Sequence, residues 1–130
     1  MNVSVVDASA VAAVLFDEPE AAALVAGAGS ALVAPTLLRF ELASVCATKL
    51  RRDPARSTAT LARYALLDDL AIELVDPDWD SLPGLADRWS LSAYDAAYLQ
   101  VALARRAALV TLDARLAAAH DLAARGAEQP

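Results

Sequence analysis

Cysteine and histidine are almost missing: Cys46 and His120 each stand alone in 130 residues. A single thiol makes no internal disulfide and no cysteine-rich zinc site. Cys46 lies beside Val45 in an apolar stretch and reads as a small core residue rather than as a nucleophile served by His120. His120 itself reads as a surface residue near a helix end. Lysine is equally scarce, Lys49 being the only one, which argues against a receiver domain with its late-strand lysine. With 4 glycines in the chain, no Gly-rich turn follows any apolar run, so P-loop and dinucleotide sites are excluded. No internal repeat is visible. At 58% hydrophobic and 22% charged, with 6 prolines, the composition is that of a compact domain rather than a disordered or low-complexity chain. The length suits one domain with a real core, expected to span residues 1–130.

Ala21 to Leu38 carries no charge and is long enough to raise a membrane-spanning reading. Gly27, Gly29, Ser30 and Pro35 divide it instead into a helix end, a turn, a short buried strand and a new helix started by Pro35. The N-terminus lacks a basic start and places Asp7 within its apolar run, so it fails as a signal peptide. A cytoplasmic protein with no membrane contact is the expectation.

What the chain does have is an alternation of short apolar runs and Ala-rich, helix-favouring stretches. Strands are expected at Asn2 to Val6, Ala31 to Ala34, Ala71 to Val75 and Ala107 to Val110. Helices are expected at Ser9 to Phe16, Glu20 to Ala26, Pro35 to Arg51, Ala55 to Leu70, Asp80 to Trp89, Tyr94 to Arg106 and Ala114 to Ala123. Strands separated by helices imply an α/β fold with a central parallel sheet covered on both faces. Asp76 to Asp80 (DPDWD) reads as a loop and helix cap.

Four acids sit where this alternation gives them meaning: Asp7 in VVDASA, Glu41 in RFELASV, Asp95 in SAYDAAYLQ and Asp113 in LVTLDARL. Asp7 and Asp113 close apolar runs. Side chains at the carboxyl ends of parallel strands converge on one crevice, and carboxylates gathered there repel one another unless a cation joins them. A metal site built of oxygen follows. Each of Asp7, Asp95 and Asp113 can equally be a helix cap. Glu41 flanks the apolar stripe Leu38, Leu42, Val45, where a carboxylate needs a partner; Arg39 or Lys49 reaching back to it is the structural alternative. Ser9 is readable either as a hydrogen-bond donor to the site or as a helix-start residue. Asp17, Glu18, Glu20, Asp68 and Asp69 lie in turns and polar faces and read as solvated.

The formal net charge is −6, from 11 basic and 17 acidic residues, which by itself disfavours a nucleic-acid partner. Distribution opposes the total, because Lys49, Arg51, Arg52 and Arg56 cluster, Arg105 and Arg106 follow another helix, and bound divalent cations would reverse the charge at the crevice. The basic cluster is therefore a candidate RNA contact, with a plain solvated face as the alternative.

Taken together, VVDASA, the helix from Pro35 to Val45 with Glu41, YDAAYLQVA and LVTLD resemble the PIN-domain family, in particular VapC-type ribonuclease toxins. The resemblance covers about Val3 to Leu116 and rests on the order and spacing of the four motifs. It implies a three-layer fold whose central parallel sheet has about four or five strands. Asp7, Glu41, Asp95 and Asp113 then correspond to the acids that bind Mg²⁺ or Mn²⁺, and Ser9 and Thr111 to supporting hydroxyls. The implied activity is metal-dependent endoribonuclease cleavage of RNA phosphodiester bonds by a metal-activated water, with Asp7 and Asp95 holding the principal ion while Glu41 and Asp113 complete the site. Single-stranded or looped RNA as substrate, a homodimer, and a VapB-type antitoxin as protein partner are further implications. Leu38 to Leu50, Tyr64 and Trp89 are candidates for the dimer surface or for core. The chain departs from the family pattern at Asp121 to Pro130, which has no β-branched run and reads as helical or frayed where a short strand is usual. A haloacid-dehalogenase-type phosphatase would carry a second Asp where Ser9 stands. The remaining alternative is a catalytically silent PIN-like module that binds RNA or protein.

Overall fold

The computed structural model describes residues 2–128. Four short strands, β1 (Val3–Val6), β2 (Ala31–Pro35), β3 (Glu73–Val75) and β4 (Ala108–Val110), pair in parallel in the order β3-β2-β1-β4. Among the described residues seven α-helices connect and cover them: α1 (Ala8–Leu15), α2 (Ala21–Gly27), α3 (Leu38–Arg52), α4 (Ser57–Tyr64), α5 (Leu82–Trp89), α6 (Ala93–Arg105) and α7 (Ala114–Glu128). None of the described helices is long and apolar enough to cross a membrane.

Parallel strands need crossovers, and helices provide them. Register places Val5 opposite both Val33 and Leu109, and these three point to the face covered by α6, which packs on β1, β2 and β4. Val6, Leu32 and Val110 point the other way and share an apolar cavity of about 270 Å³ with Val11 and Val14 of α1 and Leu24 and Val25 of α2. The result is three layers. The core includes Val5, Leu38, Leu42, Tyr98, Leu99 and Leu116, each 1% exposed or less. Cys46 is buried among them as expected.

Between α2 and β2 the chain must return close to β1. The Gly29 N–H donates to Ser4 Oγ at 2.8 Å, and a Cβ at Gly29 would collide with the Asn2 carbonyl oxygen. Only glycine fits that approach.

Three local expectations are corrected. Pro35 closes β2 rather than starting a helix, pairing in register with Val75. Pairing between β1 and β2 has already ended at Val5 and Val33, so no ladder donor is missing where proline lacks its N–H. The stretch from Ala55 to Leu70 is not one helix. The turn Pro54–Arg56 and the six residues Ala65–Leu70 wind as tighter 3-10 structure on either side of α4. His120 is half-buried in α7, its Nε2 lying 3.1 Å from the Ala107 carbonyl oxygen. The Asp121 to Pro130 segment is helical as far as Glu128; Gln129 and Pro130 lie outside the described residues. No fifth strand occurs among the described residues.

Candidate functional site

The order β3-β2-β1-β4 contains one topological switch. The chain steps from β1 outward through β2 to β3, then jumps back to place β4 on the other side of β1. Adjacent strands whose connections leave in opposite directions open a crevice at their carboxyl ends, and ligands in α/β proteins bind there. Asp7 follows β1, and Thr111 and Asp113 follow β4.

Asp7 is 6% exposed and fully engaged. Its Oδ1 accepts from Ser9 Oγ at 2.7 Å and from the Ala10 N–H at 3.0 Å, which caps α1. Its Oδ2 accepts from the Thr111 hydroxyl. Its own N–H donates to the Val110 carbonyl at 3.2 Å. Ser9 and Thr111 thereby stitch the two strand ends together: Ser9 Oγ accepts from the Leu112 N–H at 2.9 Å, and Thr111 Oγ1 from the Asp113 N–H at 2.9 Å. Capping and site-building are one arrangement here, because the free N–H groups that need a carboxylate stand at the crevice itself.

Asp113 caps α7. Its Oδ1 accepts from the N–H groups of Arg115 at 2.9 Å and Leu116 at 3.3 Å, which leaves its Oδ2 facing out on an exposed residue. Asp95 does not cap. Ser92 takes that place in α6, accepting the Asp95 N–H at 3.1 Å, so the Asp95 carboxylate is not spent on capping. Glu41, in the first turn of α3, accepts from the Tyr98 hydroxyl at 2.6 Å. The expected reach of Arg39 or Lys49 to Glu41 is not made. Arg39 pairs with Asp68 at 2.8 Å, and Lys49 with Glu18 at 3.4 Å while lying over the Phe16 ring. Lys49 is eight residues along α3, about 12 Å of rise away, too far to turn back.

The electrostatics tie the four acids together. Burial pushes the Glu41 carboxyl above its ordinary range; the Tyr98 hydrogen bond opposes this, and the charges of Asp95 and Asp7 add to it. Asp95 is likewise raised, first by burial and then by Asp113 and Asp7, against the Ser92 hydrogen bond and Arg115. Tyr98, 1% exposed, is pushed up by burial and by the bond it gives Glu41. None of the four acids takes part in an ion pair among the described residues. Arg115 is a cation whose charge bears on Asp95, and its Nη2 donates to the Ser90 carbonyl at 2.9 Å.

An uncompensated group of hard oxygen donors, with no thiolate or imidazole among them, fits Mg²⁺ or Mn²⁺ in kind and in charge. Among the described residues, no three acids stand close enough to hold one ion jointly. That suits an ion which keeps several waters and takes one or two carboxylates directly.

The basic cluster lies elsewhere. Lys49, Arg52 and Arg56 line a cavity of about 320 Å³ with Phe16, Asp53 and Arg63, at the end of α3 remote from Glu41. Arg51 is not among its lining residues. Arg63 and Tyr98 were missed by sequence reasoning. Tyr98 had a signal, standing at i+3 from Asp95 on the same helix.

The PIN domain family model matches residues 4–122. The chain is 36% identical over 118 residues to VapC ribonuclease Mb0985 of Mycobacterium bovis, covering 86% of this chain and 87% of that protein. Ribonuclease VapC9 of Mycobacterium tuberculosis is similar to the same degree over the same span. The crystal structure of PAE2754 from Pyrobaculum aerophilum superposes with a TM-score of 0.73 at 21% identity, over 98% of this chain and 97% of that one, which speaks for the fold. The chain belongs to the PIN domain family.

Proposed function

We propose that the protein is a metal-dependent endoribonuclease, the toxin of a VapBC-like toxin–antitoxin pair, acting on cytoplasmic RNA. The observation that carries this reading is the gathering of Asp7, Glu41, Asp95 and Asp113 around the switch between β1 and β4 with no cationic partner, in a chain of this family whose relatives are named ribonucleases. Asp7 and Asp95 would hold the principal Mg²⁺ or Mn²⁺, with Glu41 and Asp113 completing the site. Such an ion supplies a better nucleophile from water at neutral pH and relief of the charge that builds on the phosphate. The protein's own part is positional. Ser9 and Thr111 hold the Asp7 carboxylate at the strand ends, Tyr98 holds Glu41, and the cap hydrogen bonds of Asp113 aim its remaining oxygen outward.

Lys49, Arg52 and Arg56 are proposed contacts for RNA phosphates away from the cut, with Arg51 at their edge. A VapB-type antitoxin would silence the crevice by inserting an Arg or Lys among the acids in the cation's place. A homodimer belongs to the same reading; Leu38, Leu42 and Cys46 are core, which leaves it the exposed side of α3 and the partly buried Tyr64 and Trp89.

The test is cleavage of total cellular RNA with Mg²⁺ or Mn²⁺, with and without EDTA. Asp95→Asn is the sharper variant, because Asp95 caps nothing and its replacement leaves α6 intact. Asp7→Asn also removes an acceptor that α1 and β4 use. A fall on the order of a hundredfold or more is expected for Asp95→Asn, with a cooperative melt retained. Full cleavage in excess EDTA overturns the metal; intact RNA in Mn²⁺ overturns the nuclease.

A further inference from the structure

Arg115 stands where stability gives no reason for it. It is the second residue of α7, and the first turn of a helix carries a partial positive charge that disfavours cations. Its backbone N–H bonds Asp113 Oδ1 at 2.9 Å, yet its side chain makes no ion pair with Asp113, Asp95 or any other acid among the described residues. The guanidinium turns instead to a neutral acceptor. Its Nη2 donates at 2.9 Å to the carbonyl of Ser90, the left-handed residue that ends α5, with φ 53 and ψ 44. Ser90 stands two residues before Ser92, whose hydroxyl accepts the Asp95 N–H at 3.1 Å in the first turn of α6. The side chain therefore reaches from the start of α7, where Asp113 sits, to the turn that leads into Asp95, and its charge is felt at Asp95.

We infer that Arg115 binds the scissile phosphate of the RNA, its remaining N–H groups meeting a non-bridging oxygen. This rests on the nuclease reading proposed above and adds a substrate-binding residue to it. Charge decides between this role and that of a counter-ion. Even with one divalent ion bound, four ionised carboxylates leave negative charge in excess, so an arriving phosphate anion meets repulsion that a cation of the chain itself must offset. A guanidinium paired with one of the acids would be spent. One anchored to a backbone carbonyl keeps its whole charge and most of its five donors, and its flat fork matches a phosphate in shape as well as in sign. The Ser90 anchor also fixes a long side chain before substrate arrives, so less rotamer freedom is lost on binding. The unfavourable place in α7 is then the cost of holding positive charge beside Asp113 and Asp95.

The test compares Arg115→Ala, Arg115→Lys and Arg115→Gln with the wild type in cleavage of one unstructured RNA at saturating Mg²⁺, and follows the melting temperature of each protein as Mg²⁺ is added without RNA. Arg115→Ala should lower kcat/KM on the order of a hundredfold, most of it in kcat, because the charge that the guanidinium meets grows in the transition state. Arg115→Lys keeps the positive charge and should recover most of the loss. Arg115→Gln keeps an amide donor for the Ser90 carbonyl but no charge, and should recover little. Mg²⁺ should raise the melting temperature of Arg115→Ala at least as far as that of the wild type, since a repelling cation has left the neighbourhood of the acids. Cleavage by Arg115→Ala at the wild-type rate overturns the proposal. Rescue by Gln and not by Lys also overturns it, because the side chain would then serve only to tie α7 to the turn before α6. Loss of the Mg²⁺ shift in Arg115→Ala overturns it too, by making Arg115 part of the frame of the acid site. A wild type that leaves RNA intact is a different result, which sinks the nuclease reading and this inference with it.

Discussion

At the scale of single residues, burying carboxylates beside other acids has a measurable cost in the metal-free protein. Glu41 and Asp95 are both raised above the ordinary carboxylate range, mainly by burial and then by the other acids. A carboxyl raised on folding gives stability that is complete below its unfolded value, about 4, and is lost as pH climbs through the folded value. In EDTA the melting temperature should therefore carry a component that falls as pH rises from about 4. Glu41→Gln should remove part of it, since a glutamine oxygen still accepts from Tyr98, and the variant should melt above the wild type near neutrality with the gap closing in acid. Arg115 opposes the shift at Asp95 and Tyr98 opposes that at Glu41, and the surface pairs such as Arg39 with Asp68 are common to both proteins, so the difference isolates the crevice. Parallel curves for the two proteins would show that folding does not raise the Glu41 carboxyl. The places of these four acids in the fold were legible in sequence because strand ends and helix starts place side chains predictably. The partner of Glu41 was not, because Tyr98 is 57 positions away, and nothing local distinguishes a tyrosine that donates to a carboxylate from one that fills the core.

At the scale of elements, hydrophobic period gave each strand and helix its approximate place, and the errors share a cause. The rule that proline starts helices met a strand whose neighbour had already ended, so Pro35 cost nothing in β2. The apolar run from Ala55 to Leu70 kept its pattern while the backbone tightened, because period cannot distinguish an α-helix from a 3-10 ending. That ending closes at Ala71, which has φ 54 and ψ 43, a left-handed conformation at an exposed alanine. Ala71→Gly should relieve the strain by about 1 kcal/mol and raise the melting temperature by roughly 3 to 6 °C. Gly29→Ala should do the reverse, since its Cβ would meet the Asn2 carbonyl and the β1–β2 pairing would have to yield. Calorimetry on both variants checks the pair of signs. RNA cleavage should be unaffected in Ala71→Gly, because Ala71 is an exposed residue before the edge strand β3 and the hydrogen bonds that position the four acids do not involve it.

For the whole molecule, the net charge of −6 conceals two separated regions. Asp7 and Asp113 follow β1 and β4, and Glu41 and Asp95 stand in the first turns of α3 and α6, while Lys49, Arg52, Arg56 and Arg63 share one cavity at the other end of α3. Lys49 is paired with Glu18 and Arg63 with Asp17; Arg52 and Arg56 are in no ion pair among the described residues. An RNA strand that enters the crevice at Glu41 must run about 16 Å, the rise of the eleven residues to Arg52, before it meets these guanidinium groups. Length dependence is the consequence. Replacing Arg52 and Arg56 by Ala should flatten the slope of log affinity against log salt by ~0.7 for each phosphate of a single strand that is no longer neutralised, and only for RNA long enough to reach the cavity. Fragments that fill the crevice alone should bind both proteins equally. Because the substituted residues are exposed and distant from the acids, Mg²⁺ should raise the melting temperature of the variant as much as that of the wild type, as expected when the cation binds the folded state at an intact site. An unchanged slope with long RNA would make the cavity a solvated face of α3, and RNA would then be held at the crevice and its rim.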